Sequence, residues 1–273
     1  MTYRTTLISE VLDFLLLLFR ANNYSYSTMN TLRSALSTII RIDDKPVGQH
    51  PLVVRFMKAC YNERPALPKN KITWDTDKML VYLKSLSPSK KLSLESLTKK
   101  VTMLLLLLSG QRGQSIHLLD IRNMTLTKSS VTFRIGDPLK QTRPGKHIGE
   151  IAVKAYAPDR RLCLITALSS YIDLTKNLRG NETRLLLTHR KPYKGASIDT
   201  IRRWVRQTLL AAGIDLAIFS PHSTRAASSS KVATKLPIAT ILTTAGWSRE
   251  STFAKYYNKK VDDKFDFGQA ILT

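Results

Sequence analysis

Pro221-His222-Ser223-Thr224-Arg225 opens a helix of small residues, Ala226 to Ser230, and this stretch decides how the rest of the chain is read. His222 and Arg225 are three apart, so both project from one helical face at its N-terminal end. Backbone N–H groups and the positive end of the helix dipole point the same way, which makes the turn an anion site. Three further features stand around it. Arg112 sits at a helix end in Ser109-Gly110-Gln111-Arg112-Gly113-Gln114. Gly246-Trp247-Ser248 reads as a turn, and Tyr256-Tyr257 follows within about two and a half helical turns. Each has a plainer reading when taken alone. A His-x-x-Arg pair is commonly a surface pair, an Arg beyond a helix-ending Gly caps carbonyls, and a Tyr-Tyr packs a helix on a core. Their joint occurrence in this order is what calls for a chemical explanation.

The surrounding composition narrows the class. Lys and Arg number 43 against 20 Asp and Glu, a formal net charge of +23 spread along the whole chain. Such an excess calls for a polyanion, and its spread favours a broad wrapped surface over a basic tail. The leucine runs Leu15–Leu18 and Leu104–Leu108 are far shorter than the roughly 20 apolar residues of a spanning helix, so they read as core helices and no membrane partner is expected. Arg4 is followed by polar threonines rather than an apolar stretch, so no secretory signal is read and a nuclear or cytoplasmic setting is expected. Cys60 and Cys163 are isolated, which disfavours a disulfide framework or a structural zinc. No Asp/Glu cluster is placed to hold a metal pair, and no cofactor motif is present.

Helical periodicity covers Leu7 to about Tyr61, with Leu7, Val11, Phe14, Leu15 and Leu18 on one face and Ser25 or Ser27 capping a second helix. A break at Asp43–Gly48 precedes a third helix from about Pro51 to Tyr61. The proline- and charge-rich segment Glu63–Lys71 is the best linker. The expected organisation is a small helical N-terminal domain at 1–64, a linker at 65–74 and a mainly helical domain with a small sheet at 75–273. The C-terminal part reads as helices from Asp75 or Thr76 to Leu86 and from Leu94 to Ser109. Two antiparallel strands follow, around Val131–Ile135 and Ile148–Val153, joined by the loop Asp137–His147. Helices then cover Cys163–Leu178, Ile198–Ala212, His222–Thr234, Ile238–Ala245 and Ser251–Asn258, with a short strand at Arg184–Leu187. The fold class is mainly α with a small antiparallel β-sheet. Two domains joined by a basic linker could close around a duplex.

The order Arg, hairpin Lys, His-x-x-Arg, Trp after Gly, then Tyr resembles the tyrosine recombinase and integrase family across about Lys71 to the end. The helical N-terminal part resembles that family's core-binding domain more loosely, which implies a DNA-binding domain at 1–64 and a catalytic domain at 75–273. The resemblance implies that Arg112 is the first catalytic arginine, His222 and Arg225 the paired motif, and Trp247 the position occupied by His or Trp in the family. Lys140, in Leu139-Lys140-Gln141-Thr142-Arg143-Pro144-Gly145, is the implied hairpin lysine, with Lys146 its competitor. Gly48–Met57, Arg143-Pro144-Gly145 and Ser251–Lys255 resemble recombinases of DIRS-like and Ngaro-like retroelements. Counting nine residues from Trp247 selects Tyr256 as nucleophile. The retroelement pattern, Phe-Tyr at this spot, selects Tyr257, which is preferred with Tyr256 as the alternative. One departure stands out: where many members carry an acidic residue soon after the first arginine, this chain has Gln114 and Ser115.

The implied activity is cleavage and rejoining of double-stranded DNA through a 3′-phosphotyrosine, without metal or ATP. It would serve site-specific recombination or integration of a mobile element, with protomers assembling as a tetramer on paired sites. The chemistry suits the residues. Two guanidiniums can brace the non-bridging oxygens of a phosphodiester, Trp247 can donate its indole N–H, His222 can donate or shuttle a proton, and a mobile lysine can protonate the leaving 5′ oxygen. Phe265, Phe267, Ile271 and Leu272 make the tail apolar enough to dock on a neighbour or on its own domain. Two other readings remain: relaxation by a type IB topoisomerase-like activity, and an inactive domesticated DNA-binding protein.

Overall fold

The structure is a computed structural model that describes residues 8–65, 72–138, 150–247, 250–256 and 259–261. Its contacts divide the chain into two compact units, Met1–Asn70 and Lys71–Thr273.

In the first unit, α1 (Ile8–Ala21), α2 (Tyr26–Ile39) and α3 (Pro51–Glu63) enclose a core of Val11, Leu15, Phe19, Met29, Val53 and Met57. Leu15 is fully buried while Leu17 is 63% exposed, so the first leucine run presents one face to a small core rather than lying buried all round. Ser25, not Ser27, caps α2, its Oγ accepting from the Thr28 N–H at 3.3 Å. The expected break at Asp43–Gly48 contains a hairpin, β1 (Arg41–Ile42) against β2 (Lys45–Pro46), turned by Asp43 and Asp44 at positive φ. Arg64 closes the unit. Its Nη1 donates to the carbonyls of Phe19 (2.7 Å) and Tyr24 (3.2 Å), with the guanidinium 3.8 Å from the centre of the Phe19 ring.

The second unit begins earlier than a proline count predicts. Ile72–Thr73 form β3, and Trp74 is 2% exposed within the main core, so residues 72–74 are packed structure rather than spacer. Asp75 then caps α4 (Thr76–Ser85). The central element is α5 (Leu94–Ser109), with Val101, Met103, Leu104, Leu105 and Leu106 all buried. A helix apolar on nearly every side needs neighbours on every side. Here they are α7 (Leu164–Thr175), α8 (Ile198–Ala211) and α9 (Ser223–Ala233). Gly110 ends α5 at φ +59, a left-handed cap that glycine adopts without steric cost. Short α6 (Gly113–His117) follows.

The sheet has three strands rather than the expected two: β4 (Met124–Leu126), β5 (Ser130–Phe133) and β6 (Ile151–Lys154), all antiparallel, with Val131 opposite Val153 and Phe133 opposite Ile151. Three residues of β4 are too few to show an alternation, and Ile135 falls beyond the end of β5. The anticipated strand at Arg184–Leu187 is absent; only isolated bridges join Asp120 to Arg184 and Leu187 to Gly195. Leu185, Leu186 and Leu187 are all buried, so that run fills the core rather than alternating across a sheet. The chain ends its described course with α10 (Ile238–Ala245), α11 (Glu250–Tyr256) and β7 (Lys260–Val261), which pairs parallel with β3. Cys60 and Cys163 are buried free thiols. Among the described residues, no helix is long and apolar enough to cross a membrane.

Candidate active site

The His222–Arg225 turn is held from behind by a residue far away in sequence. Ser223 Oγ donates to the Ser220 carbonyl (2.6 Å) and accepts from the indole N–H of Trp74 (2.9 Å). The first backbone N–H groups of α9 are committed as well: Ser223 N donates to Ser220 O and Thr224 N to Pro221 O. This corrects the expectation that those donors serve an anion. The Ser220 and Pro221 carbonyls accept from both of these N–H groups, which weakens the case for this turn's backbone as an anion site. Small residues on α9 let it lie close against α5, with Ser228 Oγ donating to the Leu107 carbonyl.

Arg225 is only 2% exposed, so its guanidinium needs built partners. Nη1 donates to the Gly110 carbonyl at 2.7 Å, at the cap of α5. The guanidinium carbon lies 4.0 Å from the centre of the Trp247 ring, a cation–π contact. Gly246, at φ +70, is the left-handed cap of α10 and delivers Trp247 to this position. Trp247 also meets Phe253 of α11, ring centres 5.2 Å apart. One indole thus joins the arginine to the helix that carries Tyr256.

Arg112 and His222 line one cleft of 410 Å³, together with Gln114, Arg202 and Ser220. His222 is held below the ordinary histidine range, first by partial desolvation and then by the nearby cations Arg225, Arg112, Lys259 and Arg202. The imidazole is therefore neutral at neutral pH and able to take up a proton. Lys259 is fixed by its backbone N–H, which donates to Ser230 Oγ of α9 at 2.9 Å. Among the described residues, no group of three His, Cys, Asp or Glu stands where it could hold a metal ion.

Comparison by sequence returns no matching family and no matching curated protein. Comparison by structure does. A Tn1549 transposon integrase in complex with transposon right-end DNA is similar at TM-score 0.59 and 14% identity, over 97% of this chain and 83% of that one. A XerH site-specific recombinase bound to palindromic difH substrate is similar at TM-score 0.59 and 14% identity, over 91% and 68%. Lambda integrase bound to DNA is similar at TM-score 0.53 and 13% identity, over 98% and 85%. The fold is that of the tyrosine recombinases. At these identities the likeness to the tyrosine recombinases is one of fold, and the chemistry rests on the side chains.

Arg112, His222, Arg225 and Trp247, spread over more than a hundred positions of sequence, come together in this tyrosine-recombinase fold. Tyr256 closes α11, its side chain outside the described set; Tyr257, Lys140 and Lys146 lie outside the described residues. Three contributors escaped the sequence: Trp74, Arg202 and Lys259. Trp74 looked like part of a linker, and nothing in an isolated Trp marks its distant serine partner. Arg202 had a signal, the run Ile198–Ala211 with its charged face, but helical periodicity does not say which cleft a face borders.

Proposed function

We propose that this chain cuts and rejoins double-stranded DNA through a 3′-phosphotyrosine, serving site-specific recombination or integration of a DIRS-like or Ngaro-like mobile element. The observation that carries the reading is the convergence of Arg112, His222, Arg225 and Trp247 at one site from three separate segments, the end of α5, the start of α9 and the turn after α10. Arg112 and Arg225 brace the non-bridging oxygens as charge builds on them, and Trp247 fixes the plane of Arg225. Neutral His222 takes or relays the proton of the attacking tyrosine, Tyr257 with Tyr256 as alternative. Lys140 protonates the leaving 5′ oxygen, and the bond energy stored in the phosphotyrosine makes religation independent of ATP. The retroelement assignment is supported by the resemblance of Gly48–Met57 and Ser251–Lys255. Several protomers, arranged as a tetramer on paired sites, would complete an exchange of strands. The net charge of +23 supports duplex DNA as the partner, with an affinity that falls steeply as salt rises.

The test is a randomised duplex library carrying a nick, so that the short fragment with the freed 5′ hydroxyl diffuses away and the protein–DNA adduct is trapped. Adducts should form in EDTA without nucleotide. Tyr257→Phe should abolish them while DNA binding survives, and Tyr256→Phe should retain them; the reverse result moves the nucleophile one residue back. Full activity of both variants would contradict the phosphotyrosine chemistry. Replacing the leaving 5′ oxygen by sulfur should rescue Lys140→Ala; rescue of Lys146→Ala instead would transfer the acid role to Lys146.

A further inference from the structure

Gln111 directly precedes Arg112 and is 3% exposed. A buried primary amide must have its hydrogen bonds met, and this one meets them across the site. Its Nε2 donates to the Thr244 carbonyl at 2.8 Å, two residues before the Gly246 cap that delivers Trp247. Its Oε1 accepts from Ser115 Oγ on α6 at 3.3 Å, and Ser115 is itself 2% exposed. On the adjoining Gly110, the carbonyl accepts from Arg225. A Cβ added to Gly110 would stand 3.3 Å from Ala245 Cβ, which shows how closely the end of α5 and the end of α10 approach. The peptide Gly110-Gln111 therefore ties together the segment bearing Arg112, the helix bearing Arg225 and the turn bearing Trp247.

Resting on the reading of Arg112, Arg225 and Trp247 as a phosphodiester site, we infer that Gln111, seconded by Ser115, is the positioning residue that sets these three side chains relative to one another. It fills by neutral hydrogen bonds the supporting task that the family resemblance leads one to expect of an acidic residue. Gln111 and Ser115 carry no charge, so the brace fixes geometry without offsetting the positive charge that the site presents to phosphate. An amide is the one side chain of this size that can donate to Thr244 and accept from Ser115 while remaining neutral at every pH the protein meets.

The experiment uses the full chain and a duplex recovered by the wild-type protein from the nicked library. Gln111→Leu keeps the volume and removes both hydrogen bonds. At saturating DNA, the single-turnover rate of adduct formation should fall about 10- to 100-fold, the size expected of a misplaced catalytic group. The adduct-competent fraction and the DNA affinity should stay close to wild type. A merely structural role would do the opposite, shrinking the competent fraction and leaving its rate alone. Gln111→Glu supplies the rescue. Protonated, its carboxyl still donates to Thr244; ionised, it cannot. Its rate relative to wild type should therefore recover as pH is lowered, whereas that of Gln111→Leu should not.

Hydrogen exchange gives a second readout that does not depend on catalysis. The Gly246 and Trp247 amides, bonded to the Thr243 and Leu242 carbonyls, should lose protection in Gln111→Leu. If wild type traps no adduct while these amides lose protection, the phosphotyrosine reading fails and the brace stands. Wild-type adduct rates together with unchanged protection in Gln111→Leu would overturn the inference.

Discussion

The second unit, Lys71–Thr273, holds two apolar clusters of very different size. The large one packs α5 against α7, α8 and the sheet through residues such as Val101, Leu105, Phe133, Leu168, Tyr171 and Trp204. Among the described residues, the small one has Ile241, Ala245, Trp247 and Phe253 as buried members. Arg112 follows directly from α5, the axis of the large cluster, whereas Trp247 and the tyrosine-bearing α11 depend on the small one. The difference separates two tasks. One part of the site is anchored directly on the core of the unit. The other rests on a much smaller cluster, the stacked Arg225 and the Gln111 amide, so less burial opposes its shifting apart from the rest.

The largest effect tests the first half of that contrast. Leu105 is fully buried in the large cluster, and Leu105→Ala should destabilise the whole unit by about 2–5 kcal/mol, read as a lower denaturation midpoint. Phe253 is nearly as buried but belongs to the small cluster. Phe253→Ala should slow adduct formation by about 10-fold or more through loss of alignment, while moving the midpoint less than Leu105→Ala does. Equal shifts in the midpoint would erase the distinction between the clusters. Trp74→Phe keeps one ring in the core but loses the volume of the fused ring as well as the N–H donated to Ser223, which should cost about 1–3 kcal/mol. A loss confined to stability, with adduct rate unchanged, would show that Trp74 does not steady the His222 turn.

The smallest shift concerns pH. Desolvation and four neighbouring cations depress the His222 pKa, so the neutral form persists below the usual imidazole range. The adduct rate should hold as pH falls past about 6.5 and decline only below it. An acid limb centred above that value would contradict a depressed imidazole at the site.

Much of this was legible in the sequence, for reasons tied to particular residues. Gly110 and Gly246 each follow an apolar helix, and glycine is what a left-handed cap favours, so both helix ends and the residues delivered beyond them could be placed. His222 and Arg225 were fixed by helical spacing. Contacts made across sequence were hidden. Nothing in Gln111 marks Thr244 as its partner, and nothing in Trp74 marks Ser223, because a hydrogen bond between distant residues leaves no local period. The donors at the start of α9 were misjudged for a related reason: that they were already taken by Ser220 and Pro221 depends on the exact turn. Strand β4 was too short to register, and the buried leucines 185–187 imitated a strand.

The most direct test of the central claim is to digest a trapped protein–DNA adduct and locate the nucleotide-bearing peptide by mass spectrometry. The account predicts a single modified residue, Tyr257, joined through a 3′ phosphate, in adducts formed in EDTA. A covalent link to any residue outside the Tyr256-Tyr257 pair, a 5′ linkage, or cleavage with no covalent protein–DNA species would contradict it.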